Sequence, residues 1–100
     1  MEIRVFKMTN TNNLALRFWA DDLFNSLEKL QETKLVLDFS GIEFMSRSFA
    51  NEYLKLKKLS YKQITEKNMG ENLKQMLKLA ATTRVETREY QKIPRTVSSL

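Results

Sequence analysis

Ser46-Arg47-Ser48 sets two hydroxyls and a cation directly after an apolar stretch, Ile42, Phe44 and Met45. If a helix starts here, its first turn offers unpaired backbone N–H groups and the positive end of the helix dipole, and both favour an anion. The chemistry open to this stretch is therefore phosphate binding, or phosphorylation of Ser46 or Ser48, with Arg47 adjacent. The plainer alternative is that one serine is the helix N-cap, the commonest role of serine at such a position. Asn51 and Glu52, one turn further on, complete the polar group. A second candidate is Asp38 with Glu43, five residues apart across a turn. Two carboxylates at that spacing are a poor magnesium site without a converging phosphate ligand. The favoured reading is that Asp38 caps the loop backbone and Glu43 is solvated.

These residues need a scaffold, and the preceding segment provides one. Leu35-Val36-Leu37, extended by Phe39, is short and continuously apolar, which reads as a strand buried on both faces at the centre of an α/β sheet. Ser40-Gly41 supply the turn that follows. In open α/β sheets, sites gather at the carboxyl ends of strands, where the loop 41–47 lies.

The rest of the chain is consistent with that layout. Met1–Lys7 alternates as a first strand, and Thr9–Asn13 is a polar turn leading to a helix cap. Leu16, Ala20, Leu23, Leu27 and Leu30 then mark the buried stripe of a helix. A second helix from about Ser48 to Leu59 buries Phe49, Tyr53, Leu56 and Leu59, with Lys55, Lys58 and Lys62 on its wet side. A third strand falls around Ile64. Asn68 and Glu71 read as a capping box before a third helix carrying Leu73, Met76, Leu77 and Ala80. The fold class is thus α/β, a small mainly parallel or mixed sheet of three to four strands with packed helices. Residues 1–82 form the domain, and 83–100 form a tail read as helix, added strand or disorder. A sheet this narrow leaves room for an edge contributed by the tail or by a second copy, so a homo-oligomer is compatible with it.

Composition removes several function classes. The 100 residues contain no histidine and no cysteine, so there is no imidazole base, no thiol nucleophile and no zinc site of ordinary composition. Gly41 and Gly70 stand alone, so no phosphate-cradling glycine loop and no cofactor is implied. The chain reads as no enzyme. No stretch approaches the ~18 apolar residues of a membrane span, the N-terminus lacks the apolar core of a signal peptide, and the absence of cysteine suits a cytoplasmic setting. Residues 1–50 carry six Lys/Arg against seven Asp/Glu, and residues 51–100 eleven against five. The basic second half suits solvent, an acidic protein face or, as the alternative function, nucleic acid.

The stretch Leu35-Val-Leu-Asp-Phe-Ser-Gly-Ile-Glu-Phe-Met45, followed by Ser46-Arg-Ser-Phe-Ala-Asn-Glu52, resembles the STAS-like domain family. These are small relatives of the domain shared by sulfate transporters and anti-sigma-factor antagonists. In the antagonists a similar strand leads through an apolar pair into Asp-Ser-Ser-Gly at the start of a helix. The resemblance implies that Phe44-Met45 match the apolar pair and Ser48 the serine phosphorylated by a partner kinase. Arg17, Ala20 and Asn68-Met69 also look like the STAS-like pattern. It further implies a regulatory, bacterial-type signalling module that docks an ATPase of the histidine-kinase fold through residues 41–52, with Arg47, Phe49, Asn51 and Glu52 as partner-binding candidates. Ser46 stands where the antagonists have Asp, Arg47 where they have the first Ser, and Phe49 where they have Gly. Docking without phosphorylation is the reading these departures favour.

Overall fold

The computed structural model describes the backbone of residues 1–91 and the side-chain surroundings of residues 1–82. The element order is β1 (Glu2–Arg4), α1 (Val5–Thr9), β2 (Asn13–Leu14), α2 (Phe18–Glu28), β3 (Lys34–Asp38), β4 (Phe44–Met45), α3 (Arg47–Leu59), β5 (Gln63–Lys67) and α4 (Glu71–Gln91). Strands β1, β3 and β5 form a parallel sheet with β3 in the middle, and β2 pairs with β4 in a second, two-stranded parallel ribbon. The α/β class and the central place of the apolar strand are as the sequence predicts.

Strand β3 is fully covered on its inner face only, which corrects the reading of a strand covered on both sides: on the outer face Lys34 is exposed, Val36 half-buried and Asp38 buried. Its inner face carries Leu35 and Leu37, in register with Ile3 of β1 and Ile64 of β5, and all four are buried. Its outer face aligns Glu2, Val36 and Thr65 in one row and Arg4, Asp38 and Lys67 in the next. That face is polar except for Val36, which is half-buried. Parallel sheets are seldom left open in this way. Here the open side is bridged by its own charges: Lys67 Nζ reaches Glu2 Oε2 at 3.0 Å, from one edge strand to the other. A long lysine stem laid across the strand between them shields apolar surface while its ammonium stays wet. The bond to Glu2 raises the Lys67 pKa, which keeps the cation charged.

The inner face is packed by the helices. Ala20, Leu23, Phe24 and Leu27 come from α2, Phe49, Ala50 and Tyr53 from α3, and Leu73 and Ala80 from α4. Tyr53 is the hub. Its ring stacks on Phe49 at 5.9 Å and meets the edges of Phe24 at 5.6 Å and Phe39 at 6.2 Å. Its hydroxyl donates to the Glu66 carboxylate, which also accepts from Lys57 Nζ at 2.8 Å. A buried phenol needs such a partner, and this one ties α3 to β5.

Several local expectations are corrected. The first strand stops at Arg4, and Val5–Thr9 turns into a short helix because Val5 is drawn into the core and Thr9 Oγ1 donates back to its carbonyl at 3.0 Å. Asn10, in the left-handed conformation, ends that helix, so the Thr/Asn cluster closes α1 instead of capping α2. Helix α2 starts only at Phe18, which leaves Leu16 exposed before it rather than on its buried stripe. Leu59 is exposed at the end of α3, and Lys62 lies beyond that helix, its ammonium donating to the carbonyls of Leu30 and Glu32 after α2. Asn68 is not a helix cap: it too is left-handed, its amide donates to Asp38, and α4 begins at Glu71. Helix α4 continues past residue 82 to Gln91; residues 92–100 of the predicted tail lie outside the described residues.

Candidate functional site

Strand β3 ends in a self-contained hydrogen-bond knot. Asp38 Oδ1 accepts from Ser40 N–H at 2.9 Å, Ser40 Oγ at 2.7 Å and Asn68 Nδ2 at 3.0 Å. The two bonds from Ser40, then the one from Asn68, hold the Asp38 carboxyl down to about 2, with Lys67 adding a small pull in the same direction. Asp38 thus caps the loop backbone and stays ionised; its chemistry is spent on the fold. Glu43 is exposed and apart from it. Among the described residues, no group of three or more acidic side chains is placed to hold a metal ion.

Gly41 follows with φ +86°, a conformation L side chains rarely adopt, and this lets the chain reverse out of β3. The loop is then pinned on two sides. Glu43 and Phe44 N–H groups donate to Asn12 O, and Ser46 N–H donates to Leu14 O, so β4 lies along β2. From the other side Asn72 of α4 donates its amide to Glu43 O at 3.0 Å.

At the junction of β4 and α3 the two serines separate in role. Ser46 is the N-cap: its Oγ accepts from Phe49 N–H at 3.0 Å, and its backbone is extended. Ser48 lies inside the first turn of α3, exposed next to exposed Arg47. Phe49, a predicted partner-binding residue, is fully buried and stacked on Tyr53, so it anchors the helix and offers a partner no surface. Glu52 is half-buried and paired with Lys55 at 3.4 Å, one turn along the same helix. Asn51 is also half-buried, and its Oδ1 is enclosed without a hydrogen-bond partner among the described residues. Arg47, Ser48, Asn51 and Glu52 therefore border one surface, with Ser46 and Phe49 holding it from beneath.

What the sequence alone does not place is the apolar material beside this turn. Phe44 is 44% exposed, while its neighbour Met45 is buried, so only half of the apolar pair is available at the surface. Across the ribbon Leu14 pairs with Met45, and the chain leaving Leu14 carries Leu16 and Phe18, exposed by 60% and 56%. The topology thus brings three large exposed apolar residues to the end of the β2–β4 ribbon from which α3 departs. No sequence signal marks Leu16 as a surface residue, because its spacing to Ala20 fits a helical stripe.

No helix of the described residues is long and apolar enough to cross a membrane. No protein-family model, curated protein or solved structure matches the chain.

Proposed function

We propose that this chain is a non-enzymatic regulatory interaction module of the STAS-like kind, which docks a protein partner through the loop 41–47 and the first turn of α3. The partner class is an ATPase of the histidine-kinase fold, as the resemblance of residues 35–52 to the anti-sigma-factor antagonists implies. The observation that carries this reading is the exposure of Phe44 on β4 and of Leu16 and Phe18 on the segment that leaves its ribbon partner β2, beside a helix whose first turn carries Arg47 and Ser48. Large apolar side chains rimmed by polar ones mark interaction surfaces more often than solvent-facing ones. The loop beneath them is fixed from both sides, so a partner would meet a preformed surface at little ordering cost.

Docking does not depend on phosphorylation in this reading. Ser48 is open to a kinase, but Arg47 beside it already supplies a cation, and Phe49 occupies the position where the antagonists have Gly. The test is a binding titration of candidate histidine-kinase-fold ATPases against the wild type and Phe44→Asp, with Ser48→Ala and Ser48→Asp alongside. Phe44→Asp is expected to weaken binding at least about thirtyfold, the size of an interface hot spot, with Ser48→Ala unchanged. Equal binding by Phe44→Asp, or wild-type affinity only for DNA or RNA that falls steeply with salt, overturns the proposal.

A further inference from the structure

A second surface lies between helices α2 and α3. It is an open groove of about 440 Å³, lined by Phe24 of α2 and by Leu56 and Leu59 of α3. Leu59 is 72% exposed, an apolar side chain left to solvent at the groove's lip. The α2 wall is acidic and polar: Asp21, Asn25 and Glu28 follow one another at helical spacing. This stands out in a chain of net charge +5.

Neither carboxylate is neutralised by a cation in the ion pairs among the described residues. Asp21 lies in the first turn of α2, where the dipole welcomes it. Glu28 is the last residue of the same helix, where the dipole opposes a negative charge, and it receives only a neutral hydroxyl, Ser60 Oγ at 2.7 Å. A cation brought to that end would relieve the mismatch. Asp21 and Glu28 are two turns apart, about 10 Å along the axis.

From this we infer that the α2–α3 groove is a second docking surface, which takes a cationic amphipathic helix. The occupant places two Lys or Arg residues about seven apart against Asp21 and Glu28, and apolar side chains between them over Phe24, Leu56 and Leu59. That is helix-in-groove recognition, with apolar burial giving affinity and the two charges fixing register. No residue of the β2–β4 ribbon or of the loop 41–47 lines the groove, so this inference does not rest on the proposed function.

The test uses the full chain and a labelled helical peptide about sixteen residues long, with two lysines seven apart and two leucines between them. A matched peptide with glutamates in place of the lysines is the control. Anisotropy titrations should show saturable binding of the lysine peptide that weakens with salt, and none of the control. Asp21→Lys and Leu59→Ser should each reduce affinity about tenfold while both stay folded by circular dichroism at the titration temperature, and Phe44→Asp should leave it as in the wild type. No binding, equal binding of both peptides, or full affinity in Asp21→Lys and Leu59→Ser overturns the inference. So does a concentration-dependent dimer, seen by sedimentation, that Leu59→Ser dissolves, because the occupant would then be a second copy.

Discussion

Two polar clusters follow the ends of strands on either side of one short loop, and they differ in what their side chains have left to offer. At the end of β3, Asp38 is satisfied by Ser40 and Asn68, so a carboxylate that resembles a catalytic acid is a loop cap. At the end of β4, Ser46 is likewise consumed as a cap, but its neighbours Arg47 and Ser48 stay at the surface beside exposed Phe44. The sequence already favours this division, reading Asp38 as a loop cap and placing the candidate site at Ser46-Arg47-Ser48. Hydrogen-bond accounting agrees for Asp38, and exposure adds what the sequence lacks: large hydrophobes stand at the surface beside the second cluster and not beside the first.

The contrast breaks most visibly if Phe49 belongs to the surface cluster instead of the core. Phe49→Ala is expected to cost about 3–5 kcal/mol of stability, as for other fully buried aromatics, in a urea denaturation. A loss below about 1 kcal/mol would return Phe49 to the partner-binding set. Next in size is the difference between the two serines. Ser46→Ala should cost about 0.5–2 kcal/mol by losing the cap, whereas Ser48→Ala should stay within about 0.5 kcal/mol; thermal melts of the pair decide it. Equal losses would mean that the serines share the capping role.

The smallest effect sharpens the description of the Asp38 knot. Its carboxyl is depressed in the folded chain, so the stability it contributes is complete above its ordinary value of 3.8 and is lost as pH falls from there through about 2. Ser40→Ala removes the Oγ bond, the largest contributor, and should move the Asp38 titration upward toward 3.8, read by carbon NMR of the carboxyl. An unmoved titration would show that the backbone N–H of Ser40 and the Asn68 amide suffice.

Much of this was legible in the chain, and the failures have physical causes. The central strand announced itself because Leu35, Val36 and Leu37 have no helical alternative at that length, and the capping role of Asp38 followed from its place before Ser40-Gly41. The open outer face was not legible. Val36 looks the same in sequence whether a helix or a lysine stem lies over it. The β2–β4 ribbon has two residues per strand, too few to show any period. Asn68 and Glu71 carry a valid local capping signal, which lost to a tertiary bond: Asp38, thirty residues away, takes the Asn68 amide. Leu16 and Leu59 fit their helical stripes, but one precedes α2 and the other closes α3, where there is no core left to face. Which serine caps α3 depends on Phe49 turning inward, and only packing around Tyr53 decides that.

The parallel order β1-β3-β5 also sets a timetable for synthesis. Each neighbour of β3 lies about thirty residues from it in sequence, so no hairpin can shelter the apolar strand as it leaves the ribosome. Glu2–Arg4 waits for Lys34–Asp38 to emerge, and that strand then keeps one bare edge until Gln63–Lys67 follows. At about 5–20 residues per second, Leu35 to Phe39 stay half-paired for seconds. That interval is when a chaperone or a neighbouring nascent chain would find this sequence most adhesive.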